Sequence, residues 1–236
     1  MAALLAFDTA TERLHAALGV GARAWVREAA GGAQASATLL PTLFDLLGEA
    51  GVTLADLDAI AFGHGPGAFT GLRTACSVAQ GLAVGAGKPL LALDTLLAVA
   101  EDARLRAGVA RVWAANDARM NEVYAAHYEH RGGRWQVLEA PALYTLDALN
   151  ARWRAAPPAA VAGNAAAVFG ARLEIGAAHC VADAAPRGAA LLALARSAWD
   201  AGAAIDAAAA LPVYLRDKVA LTTTERAALK AAKERV

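Results

Sequence analysis

Apolar and polar positions alternate from the first residues of the chain. Leu4, Ala6 and Asp8 fall on one side, and after an Asp8-Thr9-Ala10-Thr11 bend Leu14, Ala16 and Leu18 repeat the period of two. The pattern predicts a β-hairpin, and Ala24 to Arg27 adds a third short strand closed by Gly31-Gly32. The period then changes. Leu39, Leu43, Leu46 and Leu47 share one side of a helix over 38–50, Leu40 and Phe44 another, and Gly51 supplies the usual C-terminal stop. Such a helix is apolar around most of its circumference. Leu57 to Phe62 reads as a buried strand, 70–86 as a helix, Leu90 to Leu93 as a strand, and a further helix starts near Thr95. Strands alternating with helices in this way predict an α/β layer with partly parallel pairing.

At Arg111 the pattern begins again. Val112 to Arg119 leads through a short turn into Glu122 to Tyr128, mirroring the opening strand, its aspartate-bearing bend and the return strand. This predicts an internal duplication of a hairpin with Asp8 and Asp117 in equivalent places. Gly132-Gly133 turns the chain into a strand over Trp135 to Glu139, Pro157-Pro158 marks a connector, Ala159 to Ala162 reads as a strand and Gly188 to Ala201 as a helix. Thr222 to Glu225 has capping-box spacing and opens a C-terminal helix carrying Arg226, Lys230, Lys233 and Arg235. The expected organisation is two α/β lobes, residues 1–108 with the two apolar helices and residues 109–236.

Between the buried strand and the helix over 70–86 lies the chain's most distinctive segment, Gly65-Pro66-Gly67-Ala68-Phe69-Thr70-Gly71-Leu72-Arg73. Its glycines imply a turn that another backbone or a ligand must approach closely. A helix N-terminus attracts phosphates, yet the Walker ending is absent and the first basic residue is Arg73. Composition narrows the choices further. Hydrophobic residues make up 58% of the chain and charged ones 19%, but the apolar runs are alanine-rich and interrupted, so no membrane span is expected. The N-terminal residues carry no secretory pattern, and the expected location is the cytoplasm. Cys76 and Cys180 lack a paired spacing and read as buried free thiols. Twenty-two basic residues balance twenty-two acidic ones, which speaks against a protein that grips nucleic acid alone.

Two Asp-bearing bends resemble the way the actin, hexokinase and Hsp70 superfamily, the ASKHA fold, holds ATP between two similar lobes. That resemblance implies a two-lobed ASKHA fold and a nucleotide site around Asp8, Thr9 and Asp117. Ala10 and Ala118 stand where the superfamily has glycine, and a Cβ at each impedes approach of phosphates, so the site is expected to be vestigial. No metal is expected. His127 and His130 fall on opposite faces of a strand, and His15, His64 and His179 are isolated. Ser36, Ser77 and Ser197 lack a nucleophile elbow, so no catalytic residue is nominated. More informative are the two apolar helices. Leu39, Leu40, Leu43, Phe44 and Leu47 on the first, with Leu72, Ala75, Val78, Ala79 and Leu82 on the second, offer more apolar surface than one sheet face covers, which points to an interface with a partner.

The glycine segment closely resembles the Gly-Pro-Gly-Ser-Phe-Thr-Gly-Leu-Arg motif of the TsaB, or YeaZ, family, with Ala68 in place of Ser. Phe7-Asp8-Thr9, Asn116-Asp117-Ala118-Arg119 with Glu122-Val123-Tyr124, and Tyr214-Leu215-Arg216 add matches in the family's order. The resemblance implies a subunit, not itself catalytic, in the formation of threonylcarbamoyladenosine beside the tRNA anticodon. It implies a heterodimer with the catalytic paralogue TsaD, a TsaE-type ATPase as further partner, tRNA met through the complex, ATP or ADP only within that complex, and homodimers when the partner is missing. TsaD's metal-binding His-x-x-x-His pair has no counterpart over Ala35 to Leu47. Two other readings stay open: a small-molecule kinase or ATPase of the same superfamily, and a glycoprotease-like hydrolase.

Overall fold

The computed structural model describes residues 2–183 and 187–216. β1 (Leu4–Asp8), β2 (Arg13–Val20) and β3 (Arg23–Ala30) form an antiparallel meander in which Asp8 stands opposite His15. α1 (Ala35–Ala50) crosses to β4 (Ala59–Gly65), parallel to β1 on its other side, and α2 (Phe69–Ala86) crosses to β5 (Leu90–Asp94), parallel to β4. The sheet order is therefore β3-β2-β1-β4-β5. α3 (Thr95–Ala107) then carries the chain to the second sheet.

That sheet repeats the first. β6 (Arg111–Asp117), β7 (Glu122–Arg131) and β8 (Arg134–Thr145) are the second meander, α4 (Leu146–Ala155) crosses to β9 (Ala160–Gly163), and α5 (Ala165–Phe169) precedes β10 (His179–Ala182). Read from β8, the order is β8-β7-β6-β9-β10, the first sheet's pattern with each strand number raised by five. β6 pairs antiparallel with β7 and parallel with β9, as β1 does with β2 and β4. The duplication read from two bends thus extends to whole lobes. α6 (Gly188–Asp200) closes the helical set.

Each strand of the two sheet centres is buried on both faces, and this dictates five layers. α1 and α2 cover one face of the first sheet, with Leu39, Leu43 and Leu46 packed on Leu5, Phe7 and Phe62. α6 covers the other face through Leu191, Leu192 and Leu194 against Leu4, Ala6 and Ala17. α3 sets Leu96, Val99 and Ala103 on the second sheet, whose far face is covered by α4 and α5 with Trp153 and Phe169. α6 therefore returns to the first lobe, and Ile205 pairs with Leu90 at that sheet's edge. A cut at 108/109 leaves both with the half of the chain opposite to the sheet they cover.

The helix over 38–50 begins three residues earlier than its pattern suggests, and the third strand is twice its anticipated length. α4, α5 and β10 had no anticipated counterpart. Cys76 is buried as expected, but Cys180 is exposed because β10 is an edge strand of four residues with little cover. The helix expected after Thr222 lies outside the described residues. No described helix is long and apolar enough to cross a membrane.

Candidate functional site

The glycine segment is seated on the first hairpin bend. At Gly67 a Cβ would stand 2.5 Å from the Ala10 Cβ and 2.7 Å from its carbonyl, and at Gly71 it would run into the Thr9 carbonyl. Only glycine lets α2 start there. Two hydrogen bonds fix the approach: the Thr9 hydroxyl donates to the Gly71 carbonyl at 2.7 Å and the Ala68 amide donates to the Ala10 carbonyl at 2.8 Å; Gly65 and Pro66 are both buried. Ala68 is the N-cap of α2 and offers no side-chain acceptor. Phe69 and Arg73 face the other way. The Phe69 ring lies 4.9 Å from that of Tyr214, the Arg73 guanidinium sits 3.9 Å above the Phe69 ring, and Arg73 Nε donates to the Tyr214 hydroxyl at 3.1 Å. Thr70 is exposed.

Between the two bends opens a cleft of about 480 Å³, walled by Ala10, Gly67 and Phe69 on one side and by Asp117, Ala118 and Asn164 on the other. The two aspartates have different surroundings. Asp8 is buried, its carboxylate accepting from the Ala10 amide at 2.6 Å and the Thr95 hydroxyl at 2.7 Å, so it braces the bend and does not line the cleft. Asp117 does line it. Its carboxylate accepts from the Arg119 amide at 2.8 Å, and its own amide donates to Asn164 Oδ1 at 2.7 Å. Each aspartate thus caps its own bend, and of the two only Asp117 faces the cleft. Ala10 and Ala118 both reach the cleft, as their positions in the bends require.

Behind the first bend lies a buried polar network. The Tyr128 hydroxyl, from the second sheet, donates to Asp94 Oδ2 at 2.6 Å, while Asp94 Oδ1 caps α3 through the Leu96 and Leu97 amides. Burial raises the Asp94 pKa, opposed by these hydrogen bonds and by His64. His64 is lowered by burial, against the pull of Asp94 and Asp8. On the back of the hairpin His15 is pushed down to about 3 by burial, then by Arg187 and Arg13. Arg187 Nη2 lies 3.1 Å from His15 Nε2, and the Arg187 amide donates to His15 Nδ1 at 3.2 Å. His127 stacks on Trp113, and His130 packs edge-on to Trp135. Among the described residues no group of three or more His, Cys, Asp or Glu side chains is placed to hold a metal.

The helix surfaces correct the interface assignment residue by residue. Leu39, Leu43 and Leu47 of α1 and Leu72, Ala75 and Ala79 of α2 are buried in the chain's own core, because α1 and α2 close the outer face of the first sheet. They are unavailable to a partner. Leu40 (38% exposed) and Phe44 (50%) point outward, Val78 and Leu82 are half-buried, and Val84, absent from the sequence list, is 74% exposed. Three further residues have a place at this site beside Asp8, Thr9 and Asp117: Asn164, Thr95 and Arg216. The first two carry no pattern of their own, whereas Arg216 stood in the Tyr214-Leu215-Arg216 match.

Two five-stranded sheets repeating one strand order about a cleft define the ASKHA class of fold. Residues 30–175, more than half the chain, match the family described as TsaD: tRNA N6-adenosine threonylcarbamoyltransferase. The protein from Escherichia coli K12 named tRNA threonylcarbamoyladenosine biosynthesis protein TsaB is 40% identical over 141 residues, covering 59% of this chain and 61% of that one. Its namesake from Haemophilus influenzae is 44% identical over 124 residues, 51% of each chain. The matches thus span between half and two thirds of these curated relatives. The structure of YeaZ from Pseudomonas aeruginosa superposes with a TM-score of 0.83 at 40% identity, covering 91% of this chain and all of that chain. The chain belongs to the TsaD family of proteins, in its TsaB/YeaZ branch.

Proposed function

We propose that this protein is a non-catalytic subunit of the machinery that forms threonylcarbamoyladenosine in tRNA, and that it works by docking α1 and α2 onto a TsaD-type catalytic paralogue. The observation that carries the reading is the exposure of Leu40, Phe44 and Val84 on two adjacent helices, with half-buried Val78 and Leu82 beside them, an apolar surface of the kind that marks interfaces. Membership of the TsaB/YeaZ branch supports the choice of pathway. In this reading transfer of the threonylcarbamoyl group occurs on the paralogue, a TsaE-type ATPase and tRNA are met through the complex, ATP or ADP enters only there, and the assembly is cytoplasmic. Homodimers form through the same helices when the paralogue is missing, since related chains can exchange at a pseudo-symmetric interface.

Gel filtration and titration calorimetry with a TsaD-type paralogue test it. The mixture is expected to elute as a heterodimer, and Phe44→Glu or Val84→Glu to weaken it by about tenfold or more, because each places an unpaired charge in an apolar contact. Unchanged affinity in both variants would contradict the proposed docking face.

A further inference from the structure

The segment after α6 runs as a strap from one lobe to the other. It begins at the edge of the first sheet, where Ile205 and Leu90 exchange backbone hydrogen bonds at 2.8 and 2.9 Å. It then follows the flank of α2. Gln80 Nε2 donates to the Ala207 and Ala210 carbonyls at 3.0 and 3.2 Å, the Val213 amide donates to the His64 carbonyl at 2.7 Å, and the Val213 carbonyl lies 2.7 Å from where a Gly65 side chain would begin. Tyr214 is gripped by Phe69 and Arg73. Two of the glycine segment's side chains and one of its glycines thus serve this strap.

Its end crosses the cleft. Leu215 packs on the apolar cluster of the second lobe, and the Arg216 guanidinium enters the β6–β7 bend, donating to the Ala118 carbonyl at 3.0 Å, the Arg119 carbonyl at 3.3 Å and Glu122 Oε2 at 2.5 Å. That bend is strained. Arg119, Met120 and Asn121 have φ of 65°, 55° and 59°, three successive non-glycine residues in the left-handed region. Such a conformation persists only where its surroundings impose it, and the guanidinium that collects two of the bend's carbonyls is the surrounding group best placed to do so. A second link spans the mouth, Arg119 Nη2 to Glu12 at 2.5 Å, but its side chains are largely exposed and such pairs hold little.

We propose that residues 205–216 are an interlobe strap and that Arg216 is its lock: it holds the strained bend against the first lobe and so sets the aperture of the cleft without any ligand. Spin labels at Ala37→Cys on α1 and Ala167→Cys on α5, both exposed positions, in a Cys180→Ser background read the separation of the lobes by pulsed electron paramagnetic resonance; Cys76 is buried. The unmodified strap is expected to give one narrow distance distribution. Arg216→Ala shifts it to longer, broader distances and speeds hydrogen exchange of the Ala118 and Glu122 amides, which donate within the bend to the Glu122 and Arg119 carbonyls, by about tenfold. Glu12→Gln leaves the distribution unchanged. Should Arg216→Ala fail to fold by circular dichroism, Arg216→Lys replaces it: it keeps the charge but ends one bond short of Nη2, the atom that reaches both carbonyls and Glu122, and a shift toward longer distances supports the lock. A folded Arg216 variant with the original distribution overturns the proposal, as does a Glu12→Gln opening as large as that of Arg216→Ala.

Discussion

At the scale of single residues, the glycine segment separates positions that need glycine from those that merely contain it. Gly71 has no room for a Cβ against the Thr9 carbonyl, and a backbone atom cannot swing aside, so Gly71→Ala should cost about 1–3 kcal/mol or more. Gly81, on the exposed side of α2 with nothing near it, behaves oppositely: Gly81→Ala should stabilise by about 0.5–1 kcal/mol through helix propensity. Ala68 occupies an N-cap with extended backbone, φ −63° and ψ 124°, where a hydroxyl could accept an orphan amide. Ala68→Ser, the residue of the family motif, should therefore add about 0.5–1 kcal/mol. Thermal or urea denaturation of the three variants checks the signs together. His15 adds a pH dependence. Its folded pKa of about 3 lies below that of an unfolded histidine, near 6.5, so the unfolded state takes up the proton first on acidification. Stability is full above the unfolded value and lost as pH falls through the interval, roughly 2 kcal/mol between pH 7 and 5. His64, lowered in the same direction, adds to the loss. Urea midpoints at the two pH values should differ less in His15→Gln than in the parent protein; an equal difference would remove His15 from the account.

At the scale of elements, what the chain's periodicity reveals is that a segment buries a face, while which face it buries is decided by the neighbouring layer. α1 and α2 show this directly. Both read as apolar nearly all round, yet Leu43 is 1% exposed and Phe44, one residue on, is 50% exposed, because 100° of helical rotation separates sheet from surface. Leu43→Glu is accordingly expected to unfold the protein, whereas Phe44→Glu should keep its circular dichroism and thermal midpoint while losing the partner; a Phe44→Glu chain that does not fold would show that the residue belongs to the core. The opening hairpin, the Asp-bearing bends, α2 and the strands around it were legible because alternation, turn residues and caps agreed there. β10 and α5 were not. His179–Ala182 is an edge strand of four residues with one buried side chain, too short and too exposed to alternate, and Ala165–Phe169 makes little more than one turn. The cleft was legible only in outline. Asp8 and Asp117 mark its two bends, but the closing contacts to Asn164, Thr95 and Arg216 join residues 47, 87 and 98 positions apart, a distance at which local pattern carries no signal.

At the scale of the whole molecule, the middle layer decides how the protein unfolds. α3 and α6 pack on each other between the sheets, α6 covering the first and α3 the second, so melting of either lobe strips the outer side of the helix that covers the other. Buried polar contacts cross the same layer: Tyr128 of the second sheet holds Asp94 at the end of the first, and Trp135 Nε1 donates to Glu101 of α3 at 2.9 Å. The two lobes repeat one fold but share one core. Calorimetry should therefore record a single transition whose measured enthalpy equals the van't Hoff value, not the two peaks that independent duplicated domains would give. Tyr128→Phe is the sharpest probe of this coupling. It preserves the ring in the second lobe's core and removes only the donor to a buried carboxylate, which costs about 1–3 kcal/mol, or roughly 2–4 °C of melting temperature for each kcal/mol in a chain of this size. If the lobes are one cooperative unit, that loss lowers a single peak without splitting it. A second peak in the variant would place the boundary of cooperativity at the Asp94–Tyr128 contact, and an unshifted midpoint would show that the shared layer is held by its apolar packing alone.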